Sequence, residues 1–215
     1  MTMTNNKDYN RILYLSSFPP RECGIATFTH DLASAFDKKF NPAIKSRIIA
    51  LNDQPTALYN YGPKVADQIA ATELEQYVAL ARRINKKDDV KLVNIQHEFG
   101  LFGGDWGNYL IPFLQTIEKP VITSFHSVIP NPEARLRKVV QTIGQYSRAL
   151  MVMNQLSADT LSKEYEIPRS KIFLIPHGIP QTPFEPNTNA KQLLGFEDRI
   201  ILSTFGLLNS NKGLE

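Results

Sequence analysis

Histidines that follow short apolar runs are the residues of this chain most suited to chemistry, because imidazole is easily tuned near neutral pH and can accept or donate a proton. Three of the four histidines are placed in this way. His126 ends VITSFH and opens the loop SVIPNP, so its backbone is expected to be held by a buried strand while its side chain meets substrate. It is the candidate catalytic residue, with a structural histidine tying down the loop as the alternative. His97 lies in NIQHEFGLFGGDWGNYL, where Gln96, His97 and Glu98 precede four glycines and the aromatics Phe99, Phe102 and Trp106. Polar groups beside exposed aromatics match the alternating hydroxyl and apolar faces of a sugar, which makes His97, Glu98 and Phe99 candidate substrate contacts. The competing possibility is that Phe99, Phe102 and Trp106 are core, with His97 hydrogen-bonded beneath them. A histidine–glutamate pair without a third ligand at a recognisable spacing predicts no zinc. His177, in IPHGIP, is a further candidate contact, set against a proline-bracketed turn of purely architectural role. His30 beside Asp31 reads as a solvated helix residue.

A second kind of chemistry is suggested by SSFPPRECGIATFTHDLA, a loop that opens directly into an amphipathic helix. Gly24 would let a ligand approach the backbone, and the helix start offers unpaired N–H groups to an anion. A dinucleotide fingerprint needs three spaced glycines, and this loop has one, which disfavours a nicotinamide-dependent dehydrogenase or epimerase. The single cysteine, Cys23, excludes an internal disulfide and a cysteine-cluster metal site; without a paired base it reads as a loop residue rather than a nucleophile.

These residues need a scaffold, and the chain supplies one by alternating β-branched apolar runs with segments of helical period. Strands are predicted at Arg11–Ser16, Lys45–Leu51, Val90–Gln96, Val121–Phe125, Ala149–Asn154, Lys171–Ile175 and Arg199–Phe205. Helices are predicted at Ile25–Phe36, Val65–Ile84, Trp106–Ile117, Pro132–Tyr146 and Gln155–Tyr165. Runs such as RILYLS are apolar on both faces, as in strands covered by helices on two sides. The expected fold class is therefore α/β: a doubly wound, mostly parallel Rossmann-like sheet, with ligands beyond the carboxyl ends of its strands. Residues 1–180 are expected to form this domain. PHGIPQTPFEPNTN, residues 176–189, has the composition of a linker and marks the boundary; the linker is placed at 181–198, and 199–215 reads as the truncated start of a second domain.

The 24 basic and 21 acidic residues are spread along the chain, without the basic stripe that a phosphate backbone requires, so nucleic acid is not expected as a partner. No apolar stretch reaches membrane-span length, and MTMTNNKDYN lacks the apolar core of a signal peptide. A cytoplasmic protein is expected, with room for peripheral membrane contact and for self-association through the C-terminal segment.

Taken in order, FPPRECGIATFTHDLA, QHEFGLFGG, TSFHSVIPNP, MVMNQLSADTL, IPHGIP and FGLLNSNKG resemble the family 4 glycosyltransferases of the GT-B fold (glycosyltransferase group 1 type) across nearly the whole chain. The resemblance implies a retaining, metal-independent transfer of a hexose, mannosyltransferase-like, from a nucleoside diphosphate sugar to a carbohydrate or lipid-linked acceptor. It requires no cofactor beyond the donor substrate. It implies that the present domain binds the acceptor, that the loop with Gly24 and Ile25 lies close to the reacting sugar and phosphates, and that His126 points at the donor sugar. It also implies that Lys212 holds the donor diphosphate, an electrostatic clamp on a leaving group. Two departures follow: Leu207 stands where many members carry arginine, and the family's paired-glutamate motif would lie past Glu215. This chain alone is accordingly expected to lack transferase activity. A non-catalytic sugar- or nucleotide-binding module of Rossmann-like fold is the alternative.

Overall fold

The computed structural model describes residues 10–55, 59–179, 183–204 and 206, and the chain divides into two compact units, 1–176 and 177–215. Among the described residues of the first unit seven strands pair in parallel: β1 (Asn10–Ser16), β2 (Ile44–Asn52), β3 (Val65–Ala70), β4 (Val90–His97), β5 (Val121–Phe125), β6 (Ala149–Val152) and β7 (Ile172–Leu174). Their order across the sheet is β3-β2-β1-β4-β5-β6-β7. Five helices connect them: α1 (Gly24–Phe40), α2 (Leu74–Asn85), α3 (Leu110–Thr116), α4 (Ala134–Tyr146) and α5 (Gln155–Lys163). This is the expected α/β Rossmann-like architecture.

Strand periodicity decides how the helices are shared between the two faces. Successive side chains point to opposite sides of a sheet. On one side Tyr14, Ile48 and Ala50 pack with Ala33 of α1. On the other, Leu13, Leu15, Ile49 and Leu51 join a larger cluster with Tyr77 and Leu80 of α2, Phe113 of α3 and Val140 of α4. The chain leaves β1 toward β2 and β3 on one flank, and continues from β4 toward β7 on the other. The loops after β1 and β4 therefore diverge at the reversal of strand order, the point at which doubly wound sheets open a crevice.

Two expectations are corrected. The segment from Val65 to Ile84 is not one helix, because Val65–Ala70 pairs with β2 as the outermost strand and α2 begins only at Leu74. Its burial alternates before Ile69 and Ala70 go fully inside, and pairing overrides the helix-compatible Ala, Asp and Gln. In the second unit, α6 (Asn187–Leu194) ends at Gly195, whose φ of 69° is the left-handed cap that glycine favours. The strand expected at Arg199–Phe205 is absent over 199–204. A strand needs a neighbour for its backbone groups, and the described residues of this unit contain no other strand.

The position of α1 is fixed at its far end by a small polar cluster. Asp37 near the end of α1 accepts from both the backbone N–H and the hydroxyl of Ser46 on β2, each at 2.7 Å, and pairs with Lys64 ahead of β3. Lys64 also donates to the Ser46 hydroxyl at 2.7 Å. Burial pushes the Asp37 carboxyl upward, but the hydrogen bonds from Lys64 and Ser46 outweigh it and hold the group below its ordinary value. A carboxylate depressed in the folded state contributes stability above its unfolded range and loses it as pH falls through the folded value. Asp37→Asn should therefore cost about 1–3 kcal/mol at neutral pH, as for hydrogen bonds to charged groups. It should also flatten the acid limb of stability against pH. Urea titrations of both proteins from neutral to acid pH check this, and parallel curves would refute it.

Candidate functional site

At the carboxyl ends of β4 and β5 the backbone pairing continues past the strands: the His126 N–H donates to the His97 carbonyl at 3.0 Å. This bond fixes His126 at the mouth of the sheet, half-buried, where its side chain meets β4 and α1. Its Nε2 lies 2.8 Å from Oε1 of Gln96 on β4. Its ring meets Phe28 of α1 edge-on at 4.8 Å between centroids. Phe28 is one helical turn beyond Gly24, so the two residues share a face of α1 and that helix start is brought toward His126.

Next to it, Glu98 ties the two loops together. Its Oε2 accepts from the Ser127 hydroxyl at 2.6 Å, and its Oε1 accepts from the Phe99 N–H at 3.1 Å. Glu98, Phe99, His126 and Ser127 are all partly exposed. The structure thus gathers a half-buried imidazole, a carboxylate, a hydroxyl and an aromatic ring at one strand end. Such a set can hydrogen-bond hydroxyl groups and stack against an apolar face.

His97 is placed differently. It is fully buried, stacked on Phe102 at 5.5 Å and 14°, and edge-on to Phe99 at 5.0 Å. Neither ring nitrogen has a hydrogen-bond partner among the described residues. Of the two possibilities open from the sequence, the ring does lie beneath the aromatics, but without the expected hydrogen bond. Burial first, and then the nearby His126, push its pKa down to about 3. Its ring is sealed by the glycine-rich loop: Gly107 has φ 78°, and a Cβ there would stand 3.2 Å from Phe102 Cβ and 3.8 Å from His97 Nε2. Gly103 is needed for closeness instead, since a Cβ would fall 2.2 Å from the Ala71 carbonyl oxygen. Phe102 is core at 4% exposure. Trp106 is half-buried and donates from Nε1 to Glu133 at 2.6 Å.

Gly24 opens α1, exposed and with open space around it, and Ile25 packs partly against the larger core cluster. The helix start carries no acidic residue in its first turn, and Cys23 supplies no side-chain cap. His177 is exposed and belongs to the second unit. Lys212 and Leu207 lie outside the described residues. Among the described residues no three His, Cys, Asp or Glu side chains are grouped to hold a metal ion, and no helix is long and apolar enough to cross a membrane.

The sequence does not single out Asn94, Ser127 or Phe28, and it marks Gln96 only as part of a polar triplet. Asn94 and Gln96 carry a usable signal, because two amides at positions i and i+2, alternating with Val93 and Ile95 in a central parallel strand, must be buried and must find partners. Gln96 is 0% and Asn94 7% exposed.

No known family profile matches the chain, and no curated protein does. Among solved structures it is similar to a glycosyltransferase from Rickettsia africae ESF-5, at TM-score 0.57 and 15% identity, over 87% of this chain and 50% of that one. It also matches an α-glucosyltransferase solved with UDP and a 13-mer DNA. In the complex with a central A:G mismatch the TM-score is 0.44 at 12% identity, over 67% and 37% of the two chains. With an HMU base it is 0.49 at 11%, over 77% and 42%. The chain spans half the length of the first of these or less of the others. At such identities the Rickettsia likeness establishes the fold alone.

The environment of His97 sets a pH dependence. Its folded pKa lies below its unfolded one, so the unfolded chain binds more protons between the two values, and stability falls as pH drops through that window. His97→Phe should make stability less sensitive to pH between roughly 6.5 and 3, the interval separating those values. In wild type the His97 ring signal should stay flat from about pH 8 to pH 5 by NMR, as expected for a desolvated imidazole. A ring that titrates inside that range would contradict the burial described above.

Proposed function

We propose that this chain is the acceptor-side domain of a glycosyltransferase that moves a hexose from a nucleoside diphosphate sugar to a carbohydrate or lipid-linked acceptor, with retention and without a metal. The observation that carries the proposal is the placement of His126, held by backbone and side chain at the crevice of a sheet whose fold is shared with a solved glycosyltransferase. The ordered motif resemblance supplies the reaction class.

In this proposal residues 1–180 are the Rossmann-like domain, 181–198 the linker and 199–215 the beginning of the donor-binding domain of a cytoplasmic enzyme. The donor diphosphate is held by Lys212, and the uncapped start of α1 at Gly24 and Ile25 faces the reacting sugar and phosphates, where its N–H groups favour negative charge. The sugar lies against His126, with Glu98, Ser127 and Phe99 contacting its hydroxyls and apolar face. His177 is a further contact in the complete enzyme. An open groove of about 500 Å³ lined by Asp105, Asn108, Arg135 and Lys138 is the proposed acceptor path.

As the bond from the anomeric carbon to phosphate breaks, positive charge develops on the sugar ring. Neutral imidazole can strengthen its contact with that ring in the transition state, whereas imidazolium would repel it. The fixed backbone of His126 means little reorganisation is needed. In the transferase with its donor domain, His126→Ala should lower kcat by roughly 100-fold or more, in the range of a positioned catalytic group. Folding should survive. A donor screen scoring sugar transfer and slow hydrolysis identifies the substrate, and the variant is then compared with wild type. Turnover within a few-fold of wild type at unchanged melting temperature would make His126 structural, and measurable turnover by residues 1–215 alone would overturn the division of labour.

A further inference from the structure

His126 does not stand alone beneath the crevice; it ends a line of buried amides. Nε2 of Gln96 donates to Oδ1 of Asn94 two residues earlier on β4, and Oε1 of Gln96 faces Nε2 of His126 at 2.8 Å. Asn94 and Gln96 point to the same side of the strand, as i and i+2 must. Gln96 is sealed from solvent, so its amide has only protein groups with which to satisfy its donors and acceptor. With its NH2 committed to Asn94, it presents an acceptor to His126, and an acceptor requires a proton on the facing ring nitrogen.

We infer that Gln96 is a positioning residue that holds neutral His126 in the tautomer protonated at Nε2, leaving the lone pair on Nδ1. A group that meets Nδ1 must therefore be a donor. In the transferase proposed above, a sugar hydroxyl that met this edge of the ring would donate to it, whereas a carboxylate or phosphate oxygen could not. The specificity rests on that proposal; the tautomer does not.

The geometry explains why an amide stands here rather than a carboxylate. A glutamate at the same position would place negative charge within hydrogen-bond distance of the imidazole and favour its protonated form. The cation would then oppose the charge that develops on a departing sugar. Glutamine fixes the ring without charging it.

Long-range 1H–15N correlation spectra of the 15N-labelled chain distinguish the tautomers directly, the His126 signals being those lost in His126→Phe. At about pH 8, where an unperturbed histidine is neutral, the protonated nitrogen should be Nε2. Gln96→Leu should mix the tautomers. Gln96→Glu keeps the acceptor and side-chain shape, and should raise the His126 titration midpoint by roughly one to three pH units. In the complete transferase Gln96→Leu should lower kcat about tenfold with KM little changed, the size of one lost hydrogen bond. Wild-type His126 protonated at Nδ1, alone or in equal mixture, overturns the inference even if the transferase activity is confirmed. The expected tautomer in a protein that turns over no nucleotide sugar upholds the inference about Gln96 and sinks the proposed function instead.

Discussion

The hydrogen bond from the His126 N–H to the His97 carbonyl carries the β4–β5 ladder beyond the end of the strands, and the candidate site is organised around it. In a parallel pair the strands run in register, here from Val93 opposite Val121 to His97 opposite Phe125. That register brings two loops that are far apart in sequence out of the sheet side by side. Glu98 can then reach Ser127, and Gln96 can reach His126. A shift of one residue would turn every side chain of the strand to the other face and dissolve both contacts together. The site is thus a consequence of sheet register more than of loop conformation.

The same ladder gives two histidines opposite environments. His97 is the last residue of β4, turned inward among Phe99, Phe102 and Phe125, where neither ring nitrogen finds a hydrogen-bond partner among the described residues. His126 is the first residue past β5, turned to a buried amide and the edge of Phe28. Burial removes one from acid–base chemistry at neutral pH by pushing its pKa to about 3. For the other, a single well-placed acceptor sets which nitrogen holds the proton. Residue type is identical in the two cases, and surroundings decide what each can do.

How far this was legible in the sequence follows from which forces act locally. Both-face apolar runs and the helical segments between them announce a doubly wound sheet, because those patterns record burial directly. VADQIA gave no such signal, since an edge strand is stabilised by pairing with β2 rather than by its own composition. RIILSTF looked more like a strand than VADQIA does, yet over 199–204 it forms none, having no strand beside it among the described residues of its unit. At the site, a histidine after an apolar run was enough to single out His126. The same cue singled out His97, and it could not separate them, because inward and outward differ by one step of the pleat. Gln96 was visible as part of a polar triplet. Its importance depends on a partner 30 residues away.

The chemical character of the gathered groups bears on what they can hold. Around His126 stand an amide, a hydroxyl, a carboxylate and aromatic edges. The arginine of the loop after β1, Arg21, is turned away to donate to the Leu51 carbonyl at 2.9 Å. Neutral donors and acceptors with one acidic group suit a polyhydroxylated ring, whose hydroxyls both give and accept hydrogen bonds. They do not suit a diphosphate, since Glu98 would repel it and no cation among these groups would offset that repulsion. A reaction that separates a sugar from a diphosphate asks for both environments, set close together but not intermixed. The strand ends after β4 and β5 have the character of the first. The second calls for N–H groups such as those at the uncapped start of α1, and for positive charge brought by another part of the protein.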